Sequence, residues 1–301
     1  MDWPENPLRI DPDQTLSEIA DLIQNKFNQL NRRVAIIGLS GGLDSSLTAS
    51  LAVKTLGADK VKLYYLSERD SKPIHRKHAV LYANQLGADL KIINISHILR
   101  SMRIYSLLPL NFFPGQKLKA LAVDYGRKRF LEHSQGEFLS IRLNSSGGSW
   151  VSRGNAYVCA KHRVRSIILY REAERLNGMV IGAANKTEWM TGTFTQWGCD
   201  HSADVMPLLH LYRNQLEILA EHLNLPEEIQ TKKADPDILP GLNDKGELLG
   251  SFGEADQILW GLENQIDLPD LEKRFSAEKV SYIQTLVRNS AHYRETPYSL
   301  L

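Results

Sequence analysis

Apolar and polar positions along this chain change spacing in a way that marks its elements. Over residues 15–31, Leu16, Ile19, Leu22, Ile23, Phe27 and Leu30 recur at steps of three or four and fall on one face of a helix. Thr15, with Glu18 three residues on, reads as its capping box. Val34-Ala-Ile-Ile37 is short and continuously apolar, the pattern of a strand buried on both faces of a parallel sheet. The chain breaks at Gly38, passes Ser40-Gly41-Gly42 and resumes helical spacing to about Thr55. Val61–Leu66 reads as a second strand, residues 74–86 as a helix and Leu90–Ile95 as a third strand. Helical spacing returns from Cys159 to Leu176, followed by a short buried strand, Met179–Gly182.

Strands alternating with helices over short loops predict an α/β fold with a doubly wound, mainly parallel sheet and a C-terminal helical portion. Residues 97–153 interrupt that rhythm. They are basic (Arg100, Arg103, Lys117, Lys119, Arg127, Lys128, Arg129), are broken at Phe112-Phe113-Pro114, and hold a Ser145-Ser-Gly-Gly-Ser149 turn. We read them as an insertion, with a helix near 117–132, in a single domain spanning 1–301. Both a lid and a surface excursion without chemical consequence fit that composition.

Composition narrows the function classes. The chain has 301 residues, 43% hydrophobic and 24% charged, enough to bury a core without disulfide staples. A net charge of +1 supplies no general field for nucleic acid or an anionic membrane, so neither is expected as a partner. Two cysteines, Cys159 and Cys199, cannot build a disulfide framework. The first twenty residues carry Asp2, Glu5, Asp11 and Asp13 and no apolar signal region. With no apolar run of membrane-spanning length, these features predict a cytoplasmic protein.

The chemistry concentrates where the predicted strands end. After the first strand stands Ser40-Gly41-Gly42-Leu43-Asp44-Ser45-Ser46, a small-residue turn leading into a helix. Its glycines let the backbone approach a phosphate, and the unpaired N–H groups of a helix start point at it. The spacing matches neither G-x-x-x-x-G-K-[ST] nor G-x-G-x-x-G. Polar turns also follow the second strand, at Ser67–Pro73, and the last one, at Ala183–Glu188; ligands of open α/β sheets collect at such ends. Lys161, Arg163 and Arg165 fall in the first turns of the helix predicted from Cys159, where cations oppose the macrodipole, so a ligand is expected to need them there.

The S-G-G-x-D-S loop resembles that of the N-type ATP pyrophosphatases, a Rossmann-like group that cleaves ATP between its α and β phosphates. Gly182-Ala-Ala-Asn185-Lys186-Thr187-Glu188 with Gly192-Thr-Phe194-Thr195 resembles the G-T-x-N-K-x-E … G-x-F-T-K segment of ammonia-dependent NAD synthetases. Asp204–Leu208, Leu211–Gln215, Leu223–Ile229, Gly246–Gly250 and Ser290-Ala-His292-Tyr-Arg294 with Pro297 continue the likeness. The resemblance implies a ligase that adenylates the carboxylate of deamido-NAD+ with ATP and amidates it with ammonia. Ser40, Gly41, Gly42, Asp44, Ser45 and Ser46 would then hold ATP phosphates, with Arg163, Arg165 and Arg213 beside them. Ser71 would line the adenine or ribose pocket. Asp44 and Glu188 would share Mg2+, and together with Arg213 serve catalysis. Phe194, Gln196, Cys199, Asp204 and His292 would meet the acyl substrate. The resemblance also implies a homodimer, with nitrogen supplied as free ammonia or by a separate glutaminase.

The chain departs from that pattern at several points. Ala183 replaces Thr, F-T-K-x-G-D reads Phe194-Thr195-Gln196-Trp197-Gly198-Cys199, and an inserted residue leaves Asp200 and His201 as extra polar groups. K-x-P-[ST]-A has become Lys233-Ala-Asp235-Pro236-Asp237, D-E has become Asp244-Lys245, and H-K-R has become His292-Tyr293-Arg294. Cys159 and His162 stand for Asn and Ala in the arginine helix. Two alternatives follow. One adenylates a different substrate for amidation or sulfur transfer, with Cys199 and His201, joined by Cys159 and His162, as a thiolate or metal site. The other is a nucleotide-binding protein without catalysis.

Overall fold

The computed structural model describes residues 3–113, 115–131, 138–144, 148–199, 201–232 and 251–295. Asp200, the altered stretches at 233–237 and 244–245, the 246–250 motif and Pro297 lie outside them.

Helix α1 (Pro12–Gln29) leads into β1 (Val34–Gly38), α2 (Leu43–Leu56), β2 (Val61–Ser67), α3 (Pro73–Leu86) and β3 (Asp89–Asn94). The next elements are α4 (Ser96–Ser101), α5 (Gly115–Leu131), α6 (Phe138–Asn144), α7 (Gly148–Leu176) and the short β4 (Gly178–Val180). The strands form one parallel sheet in the order β3-β2-β1-β4. The order reverses at β1, which pairs with β2 on one side (Ala35 beside Val61) and β4 on the other (Ala35 beside Met179). That reversal is the switch point at which such sheets open a crevice beyond their carboxyl ends.

Alternation along β1 places the two faces in separate cores. Ala35 and Ile37 pack with α1, α2 and α3, while Ile36 packs with Tyr64, Leu66 and Val180 against α4 and α7. Helix α2 is buried almost all round, as its Ala, Ser and Leu residues allow, so the loop before it is anchored at both ends. The chain then adds α8 (Lys186–Thr191), α9 (Arg213–His222), α10 (Glu227–Gln230), α11 (Phe252–Glu263), α12 (Leu268–Glu272) and α13 (Ala277–Asn289). Helices α11 to α13 share a third core with Leu139 and Leu143 of α6, which gives the predicted helical C-terminal portion its own apolar centre.

Two local expectations are corrected. Helix α1 starts four residues earlier than the Thr15 capping box implies. Asp11 is its N-cap, accepting from the backbone N–H of Gln14 at 3.1 Å, and the Thr15 hydroxyl donates back to the Asp11 carbonyl. Helix α7 begins at Gly148, eleven residues before Cys159, so Lys161, Arg163 and Arg165 lie mid-helix and the dipole argument for them falls away.

Candidate active site

A cavity opens at the β1–β4 switch point. It is lined after β1 by Gly38–Ser40 and Gly42–Ser45, after β2 by Leu66, Ser71 and His75, and after β4 by Ile181–Asn185 and Glu188. Helix α7 contributes His162 and Arg165, the stretch after α8 contributes Phe194 and Cys199, and Arg213, Lys232 and Phe252 complete the wall.

The loop after β1 is held by its own hydroxyls. The Ser40 backbone N–H donates to Ser45 Oγ at 3.2 Å, the two serine hydroxyls bond at 2.9 Å, and the Gly42 N–H donates to Ser40 Oγ at 3.2 Å. Gly41 has φ +74°, and a Cβ there would lie 2.6 Å from the His75 carbonyl, so the close approach to α3 requires glycine. Gly42 caps α2 in extended backbone without a side-chain cap. The first N–H groups of α2 thus face the cavity edge with no partner inside the helix, as an anion requires.

Asn185 ties the β1 and β4 sides together. Its amide nitrogen donates to Asp44 Oδ2 at 3.0 Å, and its oxygen caps α8 by accepting the Glu188 N–H at 2.9 Å. Arg213 stands across from them, only 7% exposed, with Nη1 3.5 Å from Asp44 Oδ1. That Nη1 is buried and makes no hydrogen bond among the described residues, so the guanidinium keeps a donor for an incoming acceptor. The site therefore offers two carboxylates, a helix start and a cation, the donor set for a phosphate chain with a hard divalent ion.

The remaining predicted residues divide. Ser40, Gly42, Asp44, Ser45, Ser71, Arg165, Glu188, Phe194, Cys199 and Arg213 line the cavity. Ser46 is fully buried behind the loop. Arg163 turns outward and donates to the Gln196 carbonyl at 3.1 Å. Asp204 accepts the Val180 N–H at 2.8 Å and the Tyr170 hydroxyl at 3.2 Å, which fixes the chain beside β4. His292 is exposed and packs edge-on against Tyr293. The thiol of Cys199 lies 3.3 Å from His162 Nδ1 at the cavity wall. Among the described residues, no three His, Cys, Asp or Glu side chains gather to hold a metal, so the anticipated Cys–His metal cluster is not assembled there. His201 stacks on Trp189 and Phe194 instead, and burial lowers its pKa.

Several contributors were not singled out from the sequence. Lys232 donates to the Gly41 carbonyl at 2.8 Å and sits 2.5 Å from His75 Nδ1, which brings a cation to the loop after β1. Arg142 of α6 donates to the Phe194 carbonyl at 3.1 Å, and Lys119 of α5 to Asp70 at 2.9 Å, so the basic insertion reaches the site's walls. Lys161, by contrast, was expected to meet a ligand, yet it is fully buried behind the β2 end and donates to Glu68 at 2.8 Å and Asp70 at 3.3 Å, with Tyr105 on Glu68 and Tyr157 on Asp70. The Asn185 cap had a local signal, an Asn directly before a helix.

Known proteins resemble this chain over most of its length. The family model for NAD synthase matches residues 15–107 and 145–297. The chain belongs to the NAD synthase family. It is 36% identical over 277 residues to the NH3-dependent NAD+ synthetase of Thermotoga maritima, covering 92% of this chain and 95% of that protein. The corresponding synthetase of Methanopyrus kandleri is 34% identical over 259 residues, 86% of this chain and 77% of that protein. Among solved structures, the NMN synthetase of Francisella tularensis superposes with TM-score 0.70 at 22% identity, covering 97% of this chain and 99% of that one. The NH3-dependent NAD synthetase of Campylobacter jejuni gives TM-score 0.68 at 23% identity, covering 97% and 100%. The NAD synthase match leaves out residues 108–144, which lie inside the predicted insertion.

Proposed function

We propose that this NAD synthase family member adenylates the nicotinate carboxylate of deamido-NAD+ with ATP and exchanges AMP for ammonia, giving NAD+, AMP and pyrophosphate. One observation carries the reading. Asp44, on the phosphate loop after β1, is joined through Asn185 to the turn that presents Glu188 after β4, with Arg213 opposite. The reaction needs that convergence, since charge develops on the pyrophosphate as the carboxylate attacks the α-phosphate in line. Backbone N–H groups of the loop and α2, with Arg213 and Lys232, stabilise that charge at fixed positions, and fixed donors cost no reorganisation during the step. Arg165 and Ser71 line the β2 side, where the nucleoside would lie. Phe194 and Cys199 line the opposite wall, where the pyridine carboxylate would lie.

Asp44 and Glu188 would hold Mg2+, whose preference is for carboxylate and phosphate oxygens. Bound there, the ion would polarise the phosphates and screen their charge. The protein is further proposed to act as a homodimer in the cytoplasm and to use free ammonia without a separate glutaminase. Leu118, Leu121 and Tyr125, exposed on one face of α5, support an interface there. No helix among the described residues is long and apolar enough to cross a membrane.

The test follows pyrophosphate release and NAD+ mass together, from Mg-ATP, deamido-NAD+ and ammonium. Equal amounts of both products are expected, with Asp44→Ala lowering the rate by about a hundred- to a thousandfold. Pyrophosphate release without NAD+ would instead support a different acyl acceptor.

A further inference from the structure

Asp256 stands outside the cavity, on α11, fully buried. Its two oxygens face the two elements that carry Glu188 and Arg213. Oδ1 accepts the Thr187 hydroxyl at 2.5 Å, and Oδ2 accepts the backbone N–H of Asn214 at 2.8 Å. Thr187 Oγ1 in turn accepts the backbone N–H of Arg213 at 2.9 Å. Arg213 and Asn214 open α9, so their N–H groups have no partner within that helix. Thr187 precedes Glu188 in α8. One carboxylate therefore ties the start of α9 to the turn after β4.

Only a carboxylate fits these demands. Both oxygens receive donors, and an amide of the same shape would set an N–H2 group against the Asn214 N–H or the Thr187 hydroxyl. Burying a carboxylate among neutral donors is costly, so packing alone does not favour it there. The benefit lies downstream. Arg213 Nη1 has no hydrogen bond among the described residues and sits near Asp44, so a small rotation of α9 would carry the guanidinium off the phosphate path.

We propose that Asp256 is a positioning residue, which locks the helix start bearing Arg213 to the turn bearing Glu188 so that both converge with Asp44 on one phosphate chain. This rests on the assignment of Glu188 and Arg213 to Mg-ATP made above. Asp256 touches no substrate. It acts through Thr187 and the backbone of α9.

The experiment is a double-mutant cycle on Asp256→Asn and Arg213→Ala. It is read by calorimetric affinity for Mg-ATP without acyl substrate and by kcat for pyrophosphate release, with thermal melts alongside. Asp256→Asn alone is expected to weaken affinity or kcat by about ten- to a hundredfold, the usual range for residues that orient a site from behind. In the Arg213→Ala background it should add no more than about twofold. Thr187→Val should reproduce the loss, and Thr187→Ser, which keeps the hydroxyl, should restore it; this pair carries the test if Asp256→Asn does not fold. Multiplying effects in the double variant, or single variants with wild-type affinity and kcat, overturn the proposal. A wild type that binds Mg-ATP but makes no NAD+ overturns the amidation reading alone, because the affinity cycle still tests Asp256. A wild type that does not bind Mg-ATP overturns both.

Discussion

Asp70 and Asp256 are both buried, each one layer behind the cavity, Asp70 beyond β2 and Asp256 beyond β4, yet their surroundings treat the charge oppositely. Burial alone would raise Asp70, but hydrogen bonds from Arg69, Tyr157 and Lys119 and the charge of Lys161 outweigh it and hold the carboxyl well below its usual range. Burial likewise raises Asp256, and its neutral donors, with Arg213 acting only through space, leave it pushed up to about 6. The first network is a compensated one that pins α5 and α7 to the β2 turn. The second keeps a charge that the fold would be more stable without, the pattern expected where alignment of a site is favoured over stability.

Lys161→Met would break this contrast most sharply. Removing the fully buried ammonium leaves Glu68 and Asp70 without their central cation, and a loss of about 3–5 kcal/mol in unfolding free energy is expected from denaturant titration. A loss under about 1 kcal/mol would mean that the surrounding arginine, lysine and tyrosines already suffice.

The pH dependence separates the two acids by sign. Asp256 binds its proton more tightly folded than unfolded. Its stabilising contribution is therefore present below about pH 4 and lost as pH rises through about 6, on the order of 3 kcal/mol in all. The stability of the wild type minus that of Asp256→Asn should accordingly rise as pH falls from 7 to 4. Asp70, held low, gives the reverse: its contribution is complete above its unfolded pKa and is lost only as pH drops below about 4. A difference curve that is flat between pH 4 and 7 would place Asp256 with Asp70. The smallest effect is expected for Tyr105→Phe, which removes the donor to Glu68 Oε2 at 2.8 Å but leaves the ring under Arg69. A hydrogen bond to a charged group predicts about 2 kcal/mol, measured as a shift in denaturant midpoint.

Much of the fold was legible because its signals are local. Val34–Ile37 and Val61–Leu66 are apolar runs of strand length, the Ser40–Ser46 turn joins strand to helix, and the parallel order follows from helices between the strands. The NAD synthase likeness was carried by several short motifs in order. Placements differed from expectation where a local rule had a competing solution nearby. Thr15 was a good cap, but Asp11 lay one turn earlier ahead of Pro12, which suits the first turn of a helix. Arg163 and Arg165 share a motif, yet two positions along a helix point about 200° apart, so Arg165 lines the cavity and Arg163 faces out. Asp204 sat within a motif and serves a backbone N–H of β4.

The sequence by itself determined which segments are strands and helices, where the glycine-serine loop after β1 falls and which polar residue types stand at the strand ends, because those properties depend on residues within a few positions of one another. Tertiary structure alone decided the pairing of Asp44 with Asn185, 141 residues apart, the placing of Lys161 on Glu68, 93 apart, and the bond of Asp256 to Thr187, 69 apart. No local pattern encodes such contacts. They arise only when packing brings remote polar groups out of water together, and each must then find a partner or bear the cost of burial.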